Sequence, residues 1–124
     1  MITLLLTDEN PGLQILTTKG QWIDAPYRKG ALIVNVGDML ERWTNGLFKS
    51  TVHRVLTLNK TERYSIPFFY DPNFDTEVKC LDVCFDDDNP PKYLPITSGK
   101  HLVDKYLATH ADFEHTDSLA DSIL

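Results

Sequence analysis

The first seventy residues are a succession of short apolar, β-branched segments separated by Gly, Pro, Asn and Asp, which leaves room for little except short strands. Ile2 to Leu6 reads as one strand, followed by the turn Asp8-Glu9-Asn10-Pro11-Gly12, where Pro fixes one φ and Gly permits a positive one. Leu13 to Thr17 is the next, then a turn at Lys19-Gly20 and the segment Trp22-Ile23 before Pro26. These three pieces fit an antiparallel meander. Ala31 to Val36 is nearly continuously apolar, the pattern of a strand covered on both faces, and is expected deepest in the core. Ser50 to Leu56 and Tyr64 to Tyr70 complete the set, with Pro67 marking a bulge or a sheet edge.

Two helical patterns interrupt the strands. Asp38 is a candidate N-cap for one turn presenting Met39, Leu40 and Trp43, which Asn45-Gly46 ends. Ser98 is a candidate N-cap for a longer helix, with Leu102, Val103, Tyr106 and Leu107 on one face. The expectation is a mainly β single domain over residues 1–124: strands over 1–72, an acidic loop region over 73–97 and a C-terminal helix over 98–110. A chain of 124 residues supports one modest core.

The net charge of −6 is concentrated in one half: residues 1–62 carry net +1, residues 63–124 net −7. No clustered basic footprint offers itself to a phosphate backbone, so no nucleic-acid partner is expected. The apolar runs are too short to span a bilayer, and no positive charge precedes the first one as in a secretory signal. Cys80 and Cys84, the only cysteines, exclude a disulfide-dense scaffold and point to a reducing, cytoplasmic setting.

Three residues stand out for chemistry. Strand alternation puts Thr51, His53 and Val55 on one face and Val52, Arg54 and Leu56 on the other, so an imidazole sits on a mixed face. Taken alone, such an imidazole is expected to be satisfied by a backbone carbonyl or water. The same period puts Arg63 and Ser65 together, where a planar guanidinium and a hydroxyl can grip one carboxylate. The alternative for Arg63 is an exposed salt bridge. Cys80 and Cys84 read as small buried thiols rather than metal ligands, Asp86 to Asp88 as a solvated loop rather than a calcium site, and His110, Asp112, Glu114 and His115 as surface residues. Trp22, Trp43, Phe68 and Phe69 read as core.

Taken in order, Asn35-Val36-Gly37-Asp38-Met39-Leu40, Thr44-Asn45-Gly46, Lys49-Ser50-Thr51-Val52-His53-Arg54-Val55 and Arg63-Tyr64-Ser65-Ile66-Pro67-Phe68-Phe69 resemble the successive signature segments of the Fe(II)/2-oxoglutarate-dependent dioxygenases, isopenicillin N synthase-like subgroup. Gly12-Leu13-Gln14-Ile15, Trp22 and Gly30 to Val34 extend the resemblance over residues 1 to about 72.

The resemblance implies a double-stranded β-helix, or jelly roll, holding iron in a His-x-Asp…His triad. His53 is then the distal histidine ligand, and Arg63 and Ser65 bind the remote carboxylate of 2-oxoglutarate. The implied activity couples decarboxylation of 2-oxoglutarate to succinate with oxidation of a small organic substrate. The family's His-x-Asp pair belongs just before the strand that here is Ile2 to Leu6, so the reading is of an N-terminally truncated jelly roll whose metal site is incomplete. A non-catalytic domain that binds a carboxylate or partner without turnover is the other reading. An unpaired edge at Ile2 to Leu6 is expected to favour self-association.

Overall fold

A computed structural model of the chain describes residues 1–56 and 61–109. In chain order the elements are β1 (Ile2–Thr7), β2 (Leu13–Leu16), β3 (Trp22–Asp24), β4 (Ile33–Val36), α1 (Asp38–Trp43), β5 (His53–Val55), β6 (Ser65–Tyr70), β7 (Glu77–Val78), a 3-10 turn (Asp82–Cys84), β8 (Ile96–Thr97) and α2 (Ser98–Thr109). The strands form antiparallel sheets in the orders β4-β1-β6, β3-β2-β5 and β7-β8. None of these helices is long and apolar enough to cross a membrane.

The architecture is mainly β, with a helix at the end of the described chain. Its backbone is one ribbon. β1 pairs with β6 from Ile2↔Tyr70 to Thr7↔Ser65. The same two stretches turn a corner and pair again in the second sheet, as β2 with β5, from Leu13↔Val55 to Ile15↔His53. A doubled strand passing from sheet to sheet is what a double-stranded β-helix requires. Gly12 makes the corner possible. Its φ is 145°, and a Cβ there would lie 2.5 Å from Leu56 O.

Several expectations change once pairing is known. β1 is the central strand of its sheet, so Ile2 to Leu6 offers no unpaired edge and cannot drive self-association that way. Among the described residues the edges are β4 and β6, the latter placing Pro67 on an edge as its missing N–H demands. β1 leaves the meander: β2 and β3 form a hairpin, but β1 pairs with β4 and β6 instead. β4 is therefore a rim strand with Val34 62% exposed, although its composition is that of a covered one. Phe68 and Phe69, on opposite faces of β6, are 60% and 66% exposed, so neither is core here. Both faces of this sheet are apolar, the pattern of a sheet covered on both sides, and the described residues complete neither cover.

The region expected to be acidic loop contributes much of the packing. Val78 on β7 is 1% exposed, and Cys80 and Met39 of α1 are also buried. Burying a valine contributes about 1.5–3 kcal/mol. Thr97, not Ser98, caps α2: Lys100 N donates to Thr97 Oγ1 at 3.2 Å. Ser98 turns inward instead, toward Pro72 O and Met39 Sδ. Likewise Gly37 precedes α1 in extended conformation, and Asp38 is its first residue, paired with Lys105 of α2.

Asn45 ties this region to the helix. It sits in the left-handed conformation at φ 53° and is 2% exposed. Its Nδ2 shares two hydrogens among Cys84 O, Asn89 O and Pro90 O at 3.2–3.3 Å, while Oδ1 accepts from Lys92 N at 2.8 Å. Asn45→Ala strands those carbonyls and strains the backbone, and should cost roughly 2–4 kcal/mol in urea unfolding. Asn45→Gly keeps the φ and should cost measurably less.

Glu41 adds an acid-sensitive tie. Its carboxylate accepts from Ser50 N at 2.8 Å, Lys49 Nζ at 3.2 Å and Tyr93 OH at 3.1 Å. The Ser50 amide, above all, holds its pKa below the usual range. A depressed folded pKa gives stability that is present above the ordinary glutamate value and lost as pH falls through the folded one. Glu41→Gln should therefore lower stability at neutral pH and flatten its decline below about pH 4.5, as followed by melts between acid and neutral pH.

Candidate functional site

The ribbon's corner is where sequence-selected residues meet. Arg63 precedes β6, and its side chain passes over Gly12: a Cβ at Gly12 would be 3.6 Å from Arg63 Cδ, and Leu56 N donates to Gly12 O at 2.9 Å. The guanidinium ends beside Ser65, with Nη1 donating to Ser65 Oγ at 3.3 Å. Arg63 and Ser65 thus share a side, as period two requires.

Arg63 Nε is buried and has no hydrogen-bond partner. Among the described residues no carboxylate lies within ion-pair distance of it. A half-buried guanidinium with an unused N–H is costly unless something supplies oxygen atoms, and a bidentate carboxylate does so in the guanidinium's own plane. Ser65 is exposed beside it, able to donate its hydroxyl proton to the same guest.

Asp8, whose carboxylate the Arg63 charge reaches, is engaged elsewhere. Asp8 Oδ2 accepts from Tyr64 N at 2.6 Å and Oδ1 from Asn10 N at 3.0 Å. Its pKa is lowered chiefly by the Tyr64 amide, then by Asn10, and least by the Arg63 charge. Asp8 and Asn10 escaped the sequence reading, which treated residues 8–12 only as a turn. The signal was there, since Asp-x-Asn favours a local side-chain-to-backbone turn.

His53 lies on β5, on the face shared with Leu13, Ile15 and Val55, while Arg54 occupies the other. Its Nδ1 is 3.1 Å from Thr51 O, the backbone satisfaction considered as the bland alternative. When Nδ1 carries the proton that carbonyl accepts, the lone pair belongs to Nε2, the arrangement of an oriented metal ligand. His53 hydrogen-bonds to neither Arg63 nor Ser65. Among the described residues no group of three or more His, Cys, Asp or Glu could hold a metal ion.

The other candidates separate from this corner. Cys80 is buried, with burial pushing its thiol pKa up, and Cys84 is half-buried. Asp86 closes a loop on itself, accepting from Asp88 N and Asn89 N. Trp22 is half-buried and carries the Arg54 guanidinium 4.0 Å above its ring. A surface-open cavity of about 360 Å³ near Asn45, Cys84 and Lys92 includes none of His53, Arg63 and Ser65. His110, Asp112, Glu114 and His115 lie outside the described residues.

Residues 1–72 match the family model of the 2OG-Fe(II) oxygenase superfamily. The chain is 46% identical over 115 residues to kihadalactone A synthase of Citrus sinensis, covering 90% of this chain and 34% of that protein. To a 2-oxoglutarate-Fe(II) type oxidoreductase of Emericella nidulans it is 50% identical over 97 residues, 77% of this chain and 28% of that protein. A full-length Neurospora crassa protein crystallised with alpha-KG and 5-formyluracil superposes with a TM-score of 0.79 at 42% identity, over 87% of this chain and 36% of that one. The chain spans about a third of the length of these relatives.

If the corner needs glycine at position 12, Gly12→Ala should lower the urea midpoint by an amount equivalent to about 2 kcal/mol or more, because the backbone is strained for an L residue and the new Cβ meets Leu56 O. A midpoint equal to that of the unaltered chain would contradict the close approach.

Proposed function

The chain belongs to the 2OG-Fe(II) oxygenase superfamily, and from that premise we propose that Arg63 and Ser65 form the clamp for the distal carboxylate of 2-oxoglutarate, with His53 as one ligand of Fe(II). The Arg63 guanidinium, with its buried Nε unpartnered and its Nη1 on Ser65 Oγ, is the observation that carries this reading. A dicarboxylic keto acid would place one carboxylate in the guanidinium plane, with Ser65 donating to the same group and Gly12 leaving room for the arginine stem. This orients the keto end away from the clamp and keeps the guanidinium from needing water.

The donor sets fit the two groups unequally. For 2-oxoglutarate's distal end they are sufficient. For iron the site offers the His53 imidazole, and among the described residues no group of three or more ligating side chains surrounds it. Bound to a full site, the pair supplies decarboxylation to succinate coupled to oxidation of a C–H bond. A small organic substrate, membership of the isopenicillin N synthase-like subgroup and a reducing cytoplasmic setting, the last favoured by two free thiols, belong to the same proposal. The second reading is carboxylate binding by Arg63 and Ser65 without turnover, which rests on the clamp alone.

The test is a titration of the melting temperature with 2-oxoglutarate and with its unreactive analogue N-oxalylglycine, since a ligand that binds only the folded state raises it by RT ln(1 + [L]/Kd) in stability. Both should raise it, and Arg63→Lys should nearly abolish the rise because an ammonium cannot reproduce the two-pronged contact. A rise that survives in Arg63→Lys removes the clamp. Succinate release with Fe(II) and ascorbate then separates turnover from binding alone.

A further inference from the structure

We propose that Asp8 and Asn10 are positioning residues for Arg63, an inference that rests on reading Arg63 and Ser65 as the clamp. Arg63 lies between two peptide groups: the one before it carries Glu62 O, and the one after it carries the Tyr64 N–H. The turn grips both. Asn10 Nδ2 donates to Glu62 O at 2.9 Å, and Tyr64 N donates to Asp8 Oδ2 at 2.6 Å. Asp8 N donates in turn to Tyr64 O at 3.1 Å.

Holding the planes on either side of one Cα sets its φ and ψ, and therefore the direction in which Cβ leaves the backbone. That matters for arginine, whose charged end lies several rotatable bonds from Cα and magnifies any error at its root. From this root the stem crosses Gly12 and ends at Ser65.

The turn also restrains itself. Asn10 N donates to Asp8 Oδ1 at 3.0 Å, and Asn10 Nδ2 to Asp8 Oδ2 at 3.2 Å. With its oxygens occupied by amides, Asp8 stands near Arg63 without pairing with it. An unrestrained carboxylate there would compete as an internal ligand for the guanidinium. Asp8 and Asn10 thus aim the clamp and keep it open to an external carboxylate.

The test compares the full chain with Asp8→Asn, Asn10→Ala, Arg63→Lys and Asn45→Gly, reading the Kd for 2-oxoglutarate separately from the ligand-free melting temperature. Asp8→Asn leaves one oxygen where two backbone donors, Asn10 N and Tyr64 N, each need an acceptor, and faces the other with an amide N–H₂, while Asn10→Ala releases Glu62 O. Each should weaken 2-oxoglutarate by about tenfold to a hundredfold, the range expected for displacing a binding group by part of an ångström. Asn45→Gly, which loosens a distant region, should lower the melting temperature and leave Kd unchanged. A structural role alone would make the positioning variants behave like Asn45→Gly, with unchanged Kd, and would overturn the proposal while Arg63→Lys still abolished binding. Binding that is absent, or insensitive to Arg63→Lys, would instead remove the clamp on which the proposal rests. Should Asp8→Asn fail to fold, Asn10→Ala decides, since it deletes only a side-chain amide.

Discussion

Everything at the candidate site depends on one antiparallel ribbon turning a corner. Residues 2–7 hold residues 65–70 in one sheet, and residues 13–15 hold residues 53–55 in the other. Between them the ladder breaks, because strands belonging to different sheets cannot keep one continuous register. Broken ladders leave backbone groups to be satisfied individually, and side chains such as Asp8 and Asn10 take over that task. The corner is thus a place where polar side chains are required for folding and where a functional arginine can emerge from an ordered backbone.

The elements were largely legible because period and punctuation are local. Alternation placed Arg63 with Ser65 and separated His53 from Arg54, and the contact at 3.3 Å and the strand register agree with it. What failed was everything that needed to know the neighbours. β4 has the composition of a central strand, but centrality is decided by what pairs with it, and among the described residues only β1 does so. Ser98 and Thr97 are both good caps by composition. Ser98 is drawn inward by Pro72 and Met39, far away in sequence, which leaves Thr97 to cap α2.

Arg63 shows how a binding group can be recognised before its guest is known. Structural arginines in folded chains commonly end on carboxylates or carbonyls, as Arg42, whose buried Nε also lacks a partner, ends on Leu94 O and Arg54 on Gln14. Arg63 touches a hydroxyl, retains an unused buried N–H, and stands beside a carboxylate already committed to amides. Such a group contributes less to the stability of the empty protein than it does to the complex.

The Asn45 clasp has a consequence for the chain's chemical lifetime. Asn followed by Gly is the pairing in which the next backbone nitrogen most readily attacks the side-chain amide, expelling ammonia and leaving an aspartyl or isoaspartyl residue. Here Asn45 is buried and its amide is committed to the carbonyls of residues 84, 89 and 90, so the folded state holds the reacting atoms away from attack. An unfolding event removes that shelter. A carboxylate formed at this position would face three carbonyl oxygens that expect a donor, and the clasp could not close again. The protection is therefore also a memory: each molecule that ages at residue 45 while open has lost the means of returning.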